Sequence, residues 1–243
     1  MVVGGLGNVA SGDGAFVGAG GSGGESVVGN AAYGNNTFIG SGTGNSAAGN
    51  ASVVCGGSNN VVTGTQCTFD NTTNITLCDV AHFGIVVGGE SNTAEGHASV
   101  VVTGLSNLAF GHRSAVFSAQ NASAMGGGSV VVGGINSLAV GNHSFIGNGN
   151  ADGDDAGGLN ATGPMSFLGN GNNNEVGGAR SSALNGQGHA VHGDASVVVG
   201  GGSQGSEYGS TVIGHDSFVG SGVKNEATGY ATFVGGGVGG VAS

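Results

Sequence analysis

Three aspartates crowd the stretch "NADGDDAGG": Asp152, Asp154 and Asp155. Oxygen ligands at that density suit Ca²⁺. The EF-hand spacing and its closing Glu are missing, and so is the nonapeptide pattern of calcium-binding β-rolls, so the stretch reads as a solvated acidic loop. His97 and His112 stand fifteen residues apart. In a coil of that length they would stack one above the other, where two imidazoles could share a metal. They read instead as exposed turn side chains. His189 and His192 have no suitable Cys or carboxylate beside them. The Gly-rich runs lack the Lys-Ser/Thr ending of a phosphate loop, and "GGGVGG" (235–240) reads as a tight edge. No catalytic residue, metal site or cofactor is expected, and the chain is read as a non-enzyme.

Other residues invite covalent modification. Cys67 and Cys78 bracket "TFDNTTNITL" in the largest insertion, about residues 67–83. A disulfide there would restrict the unfolded chain and point to an oxidising compartment. Cys55 reads as a small buried hydrophobe. Asn-x-Ser/Thr sequons occur at Asn35, Asn50, Asn71, Asn74, Asn121, Asn142 and Asn160. Bulky sugars need surface sites. The expectation is an extracellular or cell-surface protein carrying N-linked glycans.

These residues are positioned by a repeat. "SVVVTGLSNLAFGHR", "SAVFSAQNASAMGGG" and "SVVVGGINSLAVGNH" follow one another over residues 99–143. With the opening Ser as position 1, fifteens begin at Thr37, Gly84, Ser99, Ser114, Ser129, Ser166, Ser181 and Ser217. Longer units begin at Ala15, Ser52, Ser144 and Ser196. Residues 15–36 and 196–216 could each be one long coil or two short ones. A period this short fits one coil of a β-solenoid, with about fourteen coils in all. Strand side chains alternate in and out. Position 3 is aliphatic, position 11 is usually Ala and position 13 is Gly, so the odd positions share a narrow core. Position 9 is often Asn, either an inward amide ladder or a left-handed surface turn. Asn35, Asn50 and Asn142 fall at position 14, a solvated corner.

Positions 2 and 4 should point outward, yet they are apolar. Phe at position 2 goes with Gly at position 4, as in Phe38/Gly40 and Phe145/Gly147. Smaller residues at 2 go with larger ones at 4, as in Val100/Val102 and Ala115/Phe117. Roughly constant volume suits a packed interface. An apolar stripe about 65 Å long should not face water. The expected self-association surface comprises Phe38, Val53, Val87, Val100, Val102, Phe117, Val130, Val132, Phe145, Phe167, Val199 and Phe218. Closed symmetry would make the partner another copy of this chain; inserted loops folded over the stripe are the alternative.

"SVVVGGINSLAVGNHSFIG" and "TFIGSGTGNSAAGNASVV" resemble the head repeats of YadA-like trimeric autotransporter adhesins. Related repeats also look familiar from eukaryotic surface proteins and viral fibres. The resemblance covers nearly the whole chain apart from its insertions. It implies a left-handed parallel β-roll, a homotrimer and a cell-surface fibre. The fifteen-residue coil, the cysteines, the sequons and the lack of a coiled-coil stalk, neck or anchor depart from the bacterial family.

Composition sets the remaining bounds. The chain has 243 residues, 58 of them Gly and only 1 Pro, which excludes collagen. Net charge is −11 with three basic residues, so nucleic-acid binding is not expected. No apolar run approaches the ~18 residues of a membrane helix. The expected fold is all-β: a single solenoid domain over 1–243, interrupted near 67–83 and 150–158, and a segment of a longer fibre. An ice-binding solenoid or a viral tail-fibre segment is the alternative.

Overall fold

The computed structural model describes residues 1–21, 28–63, 83–149, 158–202 and 209–243, and the backbone of the strands Gln66–Asp70 and Ile75–Asp79. They form two compact units, Met1–Ser118 and Ala119–Ser243. Each unit is a parallel β-solenoid, without helix among the described residues.

Every coil uses positions 2 and 3 for one short strand and positions 10 and 11 for a second. In the first unit the position-2/3 strands pair in the order Phe16–Val17, Phe38–Ile39, Val53–Val54, Ile85–Val86, Val100–Val101, Ala115–Val116. The position-10/11 strands run in step from Val9–Ala10 to Leu108–Ala109. The second unit repeats this plan, from Val130–Val131 to Phe233–Val234 and from Ser123–Ala124 to Val241–Ala242. A thinner third line of pairing runs along position 7, as in Thr43↔Ser58↔Glu90↔Leu105 and Asn172↔Gln187.

The register settles the long units. Phe16 pairs with Phe38 and Val9 with Ala31, so residues 15–36 are one coil. Val197 pairs with Phe218 and Ala190 with Thr211, so 196–216 is one coil too. Phe83 takes position 15 of its coil with φ 64°, and its N–H donates to Asn50 O. The largest insertion therefore ends before Phe83. Leu159 is fully buried at position 9, which confines the other insertion to residues before Gly158.

The odd positions fill the core as the alternation requires. Ile39, Val54, Val101, Val131, Leu168 and Val198 at position 3 are fully buried, and so are Ala47, Ala94, Ala124 and Ala139 at position 11. Burying each aliphatic side chain stabilises the coil by roughly 1.5–3 kcal/mol. Position 13 is closed to any side chain. A Cβ on Gly96 would run into the carbonyl of Gly111, and one on Gly178 into that of Gly193.

Position 9 is the inward ladder, not the surface turn. Asn45 Nδ2 donates to Asn30 Oδ1 (3.0 Å), Asn60 Nδ2 to Asn45 Oδ1 (3.2 Å) and Asn107 Nδ2 to Asn92 Oδ1 (3.1 Å). Each Oδ1 also accepts the backbone N–H of position 9 in the next coil, as Asn60 Oδ1 does from Asn92 at 3.0 Å. A buried amide is tolerable only when its donors and acceptors are met. The left-handed turn lies one residue earlier, at position 8: Asn59, Ser91, Asn121, Asn136 and Asn173 have φ between 52° and 56°.

A second left-handed corner sits at position 15, and composition gives little hint of it. Ala51, Ala98, Arg113, His143 and Ala195 all have φ between 52° and 58°. Left-handed geometry costs an L residue roughly 1–2 kcal/mol. It is held by the stack: the Arg113 N–H donates to His97 O and the Ala195 N–H to Ala179 O, at 2.8 and 2.9 Å.

Candidate interaction surface

Outward alternation leaves positions 2 and 4 on the face of each unit. Phe38, Val87, Phe117, Val132, Phe167 and Val199 are exposed, and Val53, Val100, Val102, Val130, Phe145 and Phe218 are half-buried. No charged residue falls at either position in any described coil. Charge lies elsewhere around the coil: Glu90 at position 7, Lys224 at 8, Glu175 and Glu226 at 10, Glu95 at 12, and Asp13, Asp194 and Arg113 at 14 or 15.

The glycines of the Phe–Gly pairs are also constrained within the chain. A Cβ on Gly40 would run into Cys55 O of the next coil, and one on Gly220 into Gly235 O. Each would also come into ordinary contact with the ring before it, 3.4 Å from Phe38 and 3.5 Å from Phe218. The rings also stack up the ladder. Phe16 and Phe38 lie 5.3 Å apart within 1° of parallel; Phe145/Phe167 and Phe218/Phe233 lie 5.2 Å apart. Parallel strands place identical residues one rung apart, so two Phe coils in succession stack without adjustment. Cys55 departs from expectation as well. It is an exposed free thiol, because position 4 faces outward in the single chain.

Position 14 forms a polar column at the solvated corner. Asn35 Oδ1 accepts the Asp13 N–H (3.0 Å), Asn50 Oδ1 the Asn35 N–H (3.1 Å) and Asn142 Oδ1 the Gly127 N–H (2.9 Å). Asn35, Asn121 and Asn142 are exposed and Asn50 is half-buried. Asn160 differs: it lies in a strand between Leu138 and Glu175, and its Oδ1 is buried without a partner. Asn71 and Asn74 lie outside the described residues, as do Asp152, Asp154 and Asp155. The Tyr230 hydroxyl hydrogen-bonds the Asp216 carboxylate, and this bond and charge push its pKa above the usual 10.0.

The backbone of Gln66–Asp70 pairs antiparallel with Ile75–Asp79, and the register sets Cys67 opposite Cys78. The histidine pair forms the expected stack, with His97 and His112 centroids 6.1 Å apart and 18° between planes, and Phe83 edge-on to His97. Among the described residues no group of three or more His, Cys, Asp or Glu is placed to hold a metal. No described helix is long and apolar enough to cross a membrane.

No protein-family model matches the chain, and no curated protein matches it either.

Proposed function

We propose that the chain is a structural, non-enzymatic component of an extracellular fibre or adhesin-like surface protein, self-associating through its position-2/4 face. The observation that carries this reading is the stripe itself: half-exposed, apolar and free of charge, on a chain whose described acids lie at other positions around the coil. Apolar stripes of this extent are covered in working assemblies. A second copy suits it best, because contact there brings no like charges together. The homotrimer and the left-handed sense of the coil belong to this proposal and rest on the adhesin resemblance. So do N-glycans at Asn35, Asn50, Asn121 and Asn142 and a Cys67–Cys78 bridge closing the hairpin. Asn71, Asn74 and Asn160 complete the candidate acceptors.

Sedimentation of the wild-type chain beside Val102→Asp and Val132→Asp tests the face. A trimer that dissociates in the variants is the expected result, since a charge buried in the interface is costly. A wild-type chain that sediments as a folded monomer overturns the reading. Intact mass on native material tests the glycans, and a non-reducing digest tests the bridge.

A further inference from the structure

His189 stands at position 9, in the column that carries Asn174 before it and Ser210 after it. It is 1% exposed. Its N–H donates to Asn174 Oδ1 (3.0 Å), and its Nδ1 accepts the N–H of Ser210 (2.9 Å). Nδ1 thus replaces the amide oxygen that serves elsewhere, as Asn225 Oδ1 serves the Gly240 N–H at 2.9 Å. Its Nε2 is buried and makes no well-formed hydrogen bond, although the Gly201 backbone faces the ring and favours its proton against the larger effect of burial. The imidazole fits this place only as the neutral ring with the proton on Nε2.

The substitution changes what acid can do. An amide oxygen takes no proton near neutrality, whereas an imidazole does. A proton on Nδ1 would face the Ser210 N–H, donor against donor, and would set a cation in the core. Among the described residues no opposite charge meets it there. In the coil before, Glu175 is exposed at position 10; in its own coil, His192 is exposed at position 12; in the coil after, Ser210, Thr211 and Val212 bring no charge. Glu207 and Tyr208 lie outside the described residues.

We propose that His189 is an acid-labile rung, whose protonation detaches residues 209–212 from the coil beneath them. Burial holds its pKa below the usual 6.5. Above 6.5 the ring is neutral in folded and unfolded chain alike. As pH falls below 6.5 the unfolded chain takes the proton first, and stability is lost until the folded-state value is passed.

Hydrogen exchange, corrected for its intrinsic pH dependence and followed from about pH 7.5 to about pH 5, tests this on the full chain. The expected result is a loss of protection in the wild type at Ser210, whose N–H bonds His189, and at Ala190, His192 and Gly193, whose N–H groups donate to Ser210 O and Val212 O, about tenfold per unit of pKa depression. The loss should be absent in His189→Asn, which restores the amide found in other coils, and intact in His192→Asn. A wild type that keeps its protection, or a His189→Asn variant that loses it equally, overturns the proposal. Should His189→Asn not fold, the ring ¹⁵N resonances of the wild type decide. A ring titrating below 6.5 in step with the opening supports the rung; one titrating at 6.5 while Ser210, Ala190, His192 and Gly193 stay protected refutes it.

Discussion

The two units share a coil and differ in the column at its centre. In Met1–Ser118 position 9 reads Asn8, Asn30, Asn45, Asn60, Asn92 and Asn107, each amide passing a hydrogen bond to the next. In Ala119–Ser243 it reads Ala122, Ser137, Leu159, Asn174, His189, Ser210, Asn225 and Gly240. The strands keep the same register in both. Apolar pairing and backbone ladders therefore define the coil, and the amide column adds satisfaction of polar groups wherever it is continuous. Position 1 shows a contrast within the second unit. Ser181, Ser196 and Ser217 bond up the stack, Ser181 Oγ accepting from the Ser196 N–H and Ser196 Oγ from the Ser217 N–H. The hydroxyls of Ser129, Ser144 and Ser166 are buried without a partner.

The shared frame should give the largest effect and the least difference. Gly96→Ala and Gly178→Ala are each expected to cost about 3 kcal/mol or more, because both place a Cβ against a stacked carbonyl. Chemical denaturation yielding clearly unequal costs would break the premise that the two frames are alike.

The column should separate the units. Asn60 bonds Asn45 Oδ1, Gly56 O, Gly89 O and the Asn92 N–H. Asn60→Leu strands these groups and should cost about 3 kcal/mol. Leu159→Asn enters a column already interrupted at Ser137 and should change stability by less than half as much. Equal penalties in thermal melts would mean that the column has the same weight in both units.

A smaller contrast lies within the second unit. Ser196→Ala removes a linked hydroxyl and should cost about 1–2 kcal/mol, whereas Ser144→Ala removes an idle one and should be neutral or mildly stabilising. Smallest is Ala195→Gly. It relieves left-handed backbone but frees the unfolded chain, for a net gain of up to about 1 kcal/mol. A loss of stability there would show that the Ala195 methyl packs usefully.

Period two made the core legible: the aliphatic, Ala and Gly positions read as inward from spacing alone, and among the described residues away from the ends of the stack they are. The amide column was legible only as one of two alternatives. Asn serves buried ladders and left-handed turns equally well, and both occur here, at positions 9 and 8. The left-handed corner at position 15 left little signal. Gly14, Asn36, Gly128 and Asp216 suit it, but Ala, Arg, His, Met and Phe occupy it as well, held there by hydrogen bonds donated to the coil before. The Phe–Gly alternation was visible, but the backbone behind it was not. The close approach of such a glycine to the next coil's carbonyl is a three-dimensional contact that side-chain volume does not reveal.

The column also measures how each coil accommodates extra chain. Successive rungs are linked across 22, 15, 15 and 32 residues from Asn8 to Asn92, and across 15 and 21 from Asn174 to Ser210. Yet strand meets strand in the same register every time. Three of the four detours leave between positions 6 and 8, flanked by Gly21 and Val28, Gly149 and Gly158, and Gly202 and Gly209. Closing a longer loop at such a corner costs only about 0.6 kcal/mol per doubling of its length. That corner is a port for grafting: a foreign peptide inserted there would be carried on the outside of the coil, and the rungs above and below would not register its length.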